Sequence, residues 1–139
     1  MQYKRFGNTV ALRLDKDEEI LSCLISVSEK ENIKAASFRG IGATDNFTVG
    51  IFSLEKQTYE GFTFTGNHEI TALEGNISFV ENKPYIHAHI TCAGENAETK
   101  GGHLLEGVIS LTCEIFITVL DGEIGRKFDN ELKINRFDF

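Results

Sequence analysis

The chain has no tryptophan, one proline, one methionine and three cysteines in 139 residues, and it is short of positive charge. Each shortage excludes something. With a lone proline and no Ser-, Gln- or Pro-rich tract, nothing in the composition marks a linker or a disordered segment. Cys23, Cys92 and Cys113 are odd in number, far apart and set among apolar residues, with no C-x-x-C pair and no signal peptide ahead of them. They read as reduced, buried thiols packed as small hydrophobes, and the compartment expected is the cytoplasm. No apolar run approaches the roughly 20 residues a bilayer-spanning helix needs, so a soluble protein is expected and no membrane partner. Fourteen Lys and Arg against 21 Asp and Glu leave a net charge of −7 and a pI near 5.1. The densest basic spots, Lys4-Arg5 and Arg126-Lys127, are two residues long. General attraction to a polyanionic backbone is therefore unfavourable.

What is present is core material. Hydrophobic residues make up 41% of the chain and eleven of them are Phe, which suits one well-filled domain spanning residues 1–139. Val10, Leu12 and Leu14 alternate in a first strand that ends at Asp15. Asp15 stands three residues before Glu18, as in a capping box, and Ile20, Leu21, Leu24, Ile25 and Val27 follow at helical spacing. A helix is expected from about Asp17 to about Asn32. Period-two segments dominate afterwards: "AASFRGIGA", "NFTVGIFSL", "GFTFTG", "HEITALEGNISFV", "YIHAHITCA", "GVISLTCEIFITVLDG" and "LKINRF". The fold class is thus α+β, a central, mostly antiparallel sheet with one principal helix on a face. "RGIGATDNFTVG" lacks the third glycine and the helix of a dinucleotide fingerprint, and reads as a tight turn between two strands.

Three of the four histidines lie in "IHAHITCAGENAETKGGHL". Strand alternation puts Ile86, Ala88, Ile90 and Cys92 on one face and His87, His89 and Thr91 on the other. Cα atoms two apart on a strand are about 6.5–7 Å apart, within reach of a shared ion for two imidazoles. After a polar loop, Gly101-Gly102 permit close backbone approach just before His103, which can complete a three-histidine face. Three neutral imidazoles suit zinc or another divalent transition metal and leave a coordination position for water or substrate. The competing reading is a polar, partly wet strand face whose histidines are satisfied by hydrogen bonds. His68, after Gly66-Asn67, is expected at a turn in an exposed or capping role. Glu69, Glu106 and Glu114 are the carboxylates nearest these strands in sequence. Each could orient an imidazole or act as a general base, and each also suits a solvated sheet-edge charge.

"LRLDKDEEI", "RGIGATDNFTVGIF", "HEITALEGNIS" and the ordered set H-x-H, polar loop, G-G-H-L together resemble the PPC domain, also called the DUF296 or PD1-like DNA-binding domain, over nearly the whole chain. The resemblance implies a PPC-like α+β fold and a homotrimer. In stand-alone prokaryotic members it also implies a metal, usually zinc, on the histidines matching His87, His89 and His103. The family's DNA-binding label leans on the Arg-Gly-Arg-Pro AT-hook of plant members. No such segment occurs here, and the sole proline is Pro84. The function expected is a trimeric metal-binding protein, possible as a metal-dependent enzyme acting on a small-molecule ligand. The alternatives are a DNA-binding regulator and a non-catalytic assembly module.

Overall fold

The computed structural model describes all 139 residues. Its strands are β1 (Gln2–Phe6), β2 (Thr9–Asp15), β3 (Ala36–Ser53), β4 (Thr58–Val80), β5 (Lys83–Ala93), β6 (Thr99–Val119), β7 (Gly125–Asp129) and β8 (Ile134–Asp138), with one helix, α1 (Ile20–Lys30). They form a single sheet in the order β1-β2-β6-β3-β4-β7-β8, and β5 pairs with both β4 and β6. The ladders β3–β4, β4–β5, β5–β6 and β6–β3 therefore close into a ring. Every pairing is antiparallel except a short parallel contact of β4 with β7 at Phe79 and Gly125. The α+β class, with a mostly antiparallel sheet and one helix, is the one expected.

Alternation along the long strands fills the interior. Val10, Leu12 and Leu14 of β2, Ile90 and Cys92 of β5, and Cys113, Ile115 and Ile117 of β6 join one buried cluster. Burying such an aliphatic side chain contributes about 1.5–3 kcal/mol before entropy is set against it. The helix lies against β5 and β6 and contributes Ile20, Cys23, Leu24 and Val27 to the core. It covers the Ala88–Ile90–Cys92 side of β5 and leaves the histidine side free of it. All three cysteines are buried and unpaired, as expected.

Four details differ from expectation. The opening stretch, expected as one strand ending at Asp15, is two, β1 and β2, paired antiparallel. The helix begins at Ile20, because Asp17 sits at φ 68 and the segment around it pairs with β6 through Asp17 N to Ile109 O (2.8 Å) and Ile109 N to Glu18 O (3.0 Å). The Glu18 carboxylate does accept from the Asp15 amide (2.8 Å), but it closes a turn, and Glu19 caps the helix by accepting from Leu21 N and Ser22 N. "RGIGATDNFTVG" is not a turn: it runs through the middle of β3, with register irregularities at Gly40/Gly42 and Thr44/Asn46. The glycine serves close approach instead, since a Cβ at Gly42 would lie 2.3 Å from the Thr112 carbonyl oxygen of β6. Finally, "GRKFD" forms β7, paired with β8 in a hairpin. One apolar side chain in five residues gives no alternation to detect.

Candidate metal centre

His87 and His89 project from the same side of β5, opposite Asn76 and Glu74 of β4. The flanking Ala88 and Ile90 turn into the core. On its other edge β5 meets β6, where His103 is the direct cross-strand partner of His89. The preceding residues make that pairing fit: a Cβ at Gly101 would stand 2.5 Å from the Ile90 carbonyl oxygen, so a side chain there would push the strands apart. The Gly-Gly before His103 thus has the close-approach role expected of it.

The three imidazoles converge. Ring centroids lie 5.3 Å (His87–His89), 5.1 Å (His87–His103) and 5.5 Å (His89–His103) apart. One ligand nitrogen from each can be chosen so that all three lie within 4.8 Å of one another. His103 stacks on Tyr59 at 4.7 Å, and its Nδ1 is buried with no hydrogen-bond partner. An orphaned buried nitrogen costs about 1–3 kcal/mol unless something outside the chain satisfies it. Burial, then the neighbouring His87 and His89, push His103 down to about 4. Burial, then Arg126 and His89, also hold His87 below the ordinary histidine value. Both rings are therefore neutral near pH 7, the form that binds a metal. Donor type, convergence and protonation all fit a divalent transition metal.

Around the histidines lies a second group that the sequence did not point to. Arg126 of β7 donates to Ser78 Oγ (2.7 Å), Asn76 Oδ1 (2.7 Å) and the Asn135 carbonyl (3.0 Å). Its guanidinium lies 4.6 Å from the ring centroids of both Tyr85 and Phe137. Burial lowers its pKa. Together with Tyr59, Tyr85 and Lys133, it lines a cavity of about 240 Å³ that His87 and His103 open into. The basic doublet Arg126-Lys127, inside the weak strand β7, was the only trace of this wall in the sequence.

The other candidates lie elsewhere. His68 is buried, contrary to the exposed or capping role expected. Gly66, at φ 92, does not end a strand but lies within β4, which carries His68 inward against Phe47 (ring centroids 5.1 Å apart). The Gly66 carbonyl accepts from its Nδ1 at 2.7 Å. Glu69 lines the cavity that holds His68, and Glu114 lines a separate cleft with Tyr3 and Phe116. Glu106 is an exposed residue paired with Thr48. None of the three lines the cavity beside the histidines. Glu74, the cross-strand partner of His89, is the carboxylate that the pairing brings to the cluster's edge.

The fold is a closed ring of antiparallel ladders with one helix against it, and it carries the three-histidine face on β5 and β6. Residues 1–121 match the model of the Plants and Prokaryotes Conserved (PCC) domain, and the chain belongs to that family. A Pyrococcus horikoshii plant- and prokaryote-conserved (PPC) protein superposes with a TM-score of 0.88 at 30% identity, covering 99% of this chain and 94% of that one. A metal-containing protein from Archaeoglobus fulgidus gives 0.89 at 29% identity, covering 100% and 99%. A Bacteroides thetaiotaomicron protein provisionally named as DNA-binding gives 0.96 at 30% identity, covering 99% and 96%. No curated protein matches the chain. No helix is long and apolar enough to cross a membrane.

Proposed function

We propose that the chain folds as one domain over residues 1–139, assembles as a homotrimer and binds one zinc or similar divalent transition metal per chain through His87, His89 and His103. The observation that carries the metal reading is convergence: three ligand nitrogens within 4.8 Å, with His103 Nδ1 otherwise unsatisfied. The metal-containing relative from Archaeoglobus supports it. Bound there, the metal supplies Lewis acidity to a small molecule beside it. The chain's own residues prepare the place. Tyr59 fixes the plane of His103 by stacking, and the Arg126 contacts to Asn76 and Ser78 hold β7 against the strand beside His87. This is the arrangement of a small-molecule site, and a metal-dependent enzyme is the reading it favours over a bare assembly module.

Elemental analysis of chelator-washed, zinc-reconstituted protein tests it. Near-stoichiometric zinc, lost in His103→Ala with the fold retained, is expected. Absence of metal in the reconstituted wild type would sink the reading. Trimer formation is supported by exposed apolar side chains on the sheet, Ile41 (60%), Leu111 (72%) and Phe116 (53%). Light scattering at a threefold chain mass is the expected result, and a monomer would contradict it. Direct DNA binding, suggested by the name of the Bacteroides relative, is opposed by the charge of −7. A mobility shift with generic duplex near physiological salt is expected to show none.

A further inference from the structure

We propose that the cavity beside His87 and His103 binds a small oxyanion, a carboxylate or phosphate of a few heavy atoms, recognised by Arg126 and Lys133 of the β7–β8 hairpin. The inference rests on the three-histidine reading for the metal but not for its cations, which belong to the chain.

Charge is the first argument. The chain carries 21 acidic residues against 14 basic ones, yet no Asp or Glu lines this cavity, whereas Arg126 and Lys133 both do. The hairpin's other two cations are neutralised within it, Lys127 by Asp138 (2.6 Å) and Arg136 by Asp129 (3.1 Å). Arg126 has only neutral acceptors, Ser78 Oγ, Asn76 Oδ1 and the Asn135 carbonyl, and two aromatic rings. A half-buried guanidinium without a counter-ion is costly, so a structure that fixes one by three hydrogen bonds and two rings retains a reason for an anion. Three neutral imidazoles leave the full charge of a bound divalent ion uncompensated, which adds to the same field.

Lys133 differs from Arg126 in being exposed at the rim. Its backbone is pinned at φ 58 by its amide donating to the Asp129 carbonyl (2.8 Å), so the side chain leaves from a fixed point. Size narrows the ligand. About 240 Å³ is below the ~300–1,000 Å³ typical of drug-sized ligands. A nucleotide or a duplex does not fit, and a few-atom anion does. Tyr59 and Tyr85 line the same space.

Calorimetric titration at low ionic strength tests the proposal on metal-free and zinc-reconstituted protein. Acetate, pyruvate and succinate form one arm and inorganic phosphate the other, with neutral pyruvamide as control. At least one anion is expected to bind both forms, more tightly with zinc, while pyruvamide does not bind. Binding in the first arm identifies a carboxylate ligand, and binding in the second a phosphate. Lys133→Gln, an exposed change that leaves packing intact, is expected to weaken binding about fivefold with zinc content unchanged. No binding of any of the four anions up to about 10 mM, or unaltered affinity in Lys133→Gln, overturns the proposal. Lys133-dependent anion binding by protein that takes up no zinc would remove the metal reading and leave this one standing. Zinc uptake without anion binding would do the reverse.

Discussion

His103 and His68 each bury a ring nitrogen that no atom of the chain hydrogen-bonds, yet their surroundings are opposite. His103 lies beside His87 and His89 and lines, with His87, a cavity whose charged residues are Arg126 and Lys133. His68 lines a larger cavity, about 530 Å³, shared with Asp45, Glu69, Glu95 and Lys16. The acidic cavity has more carboxylates to offer a cation, but they do not converge with the imidazole. The three-histidine set is the one group of three or more potential ligands whose atoms come within 4.8 Å of each other. An orphaned nitrogen is therefore not sufficient evidence of a ligand site. His68 is held by the Gly66 carbonyl on one side and Phe47 on the other, as a core residue is held.

The sharpest way to break this contrast is to remove each side in turn. In the double variant His87→Ala/His89→Ala, bound zinc is expected to fall from near one per chain to near zero, with the far-ultraviolet spectrum unchanged. His68→Ala is expected to keep its zinc and lose about 2 kcal/mol of stability, because it empties a buried site against Phe47. Elemental analysis and urea unfolding read the two quantities separately. Zinc lost in His68→Ala with the fold intact would merge the two regions into one site.

The β5–β6 contact comes next in size. Gly101→Val places a side chain against the Ile90 carbonyl, where a Cβ already has only 2.5 Å. Overpacking of this kind costs about 1–3 kcal/mol. It is also expected to weaken zinc binding, since His103 follows two residues later on the strand being displaced. Gly66→Ala, next to His68, is expected to alter stability and leave zinc affinity unchanged, the φ of 92 being strained for alanine. Equal zinc affinity in wild type and Gly101→Val would show that strand spacing does not set the cluster.

A separate effect is expected from pH in the metal-free protein. His103 takes its proton near 6.5 when unfolded but only near 4 when folded. Between those values the unfolded state binds more protons, so stability rises with pH through the window. Acidification from neutral should thus begin to destabilise the apo protein below about 6.5, with no further loss from this group below about 4. His87 acts in the same direction. Urea midpoints measured across the window check this, and His103→Gln should flatten the slope. An unchanged slope in that variant would assign the acid sensitivity to other groups.

How much of this was legible depended on the range of the contacts. His87 and His89 could be placed on one face because strand alternation is local, and Gly101-Gly102 pointed to close approach because glycine carries no side chain to hold two strands apart. His68 misled because Gly66-Asn67 carries the chemistry of a turn, while the chain uses the same glycine within a continuous strand. Gly40 and Gly42 misled likewise, their purpose being contact with β6 some 70 residues away. Arg126 was visible only as half of a basic doublet, without its role: Ser78 and Asn76 lie 48 and 50 residues from it, and only the fold brings them together. Composition sets the core and period sets the strands, but the wall that completes the cavity is a product of topology.

The cysteines supply the weakest expected signal and a control on everything above. Burial pushes the thiols of Cys92 and Cys113 up to about 12, so the thiolate, the reactive form, is scarce at neutral pH. Cys23 is raised as well, burial again being the largest cause. Cys92 alternates with the histidines on β5 but faces the helix, on the opposite side of the strand. Disulfide-exchange reagent added to the folded wild type at pH 7 is therefore expected to label none of the three within the time that unfolded chain labels all of them. The same result is expected for the His87→Ala/His89→Ala variant, because those changes lie on the face the core does not use. Rapid labelling of Cys92 in the variant alone would mean that the histidine face and the core face of β5 are mechanically coupled, and the loss of metal there could then no longer be separated from a loss of packing.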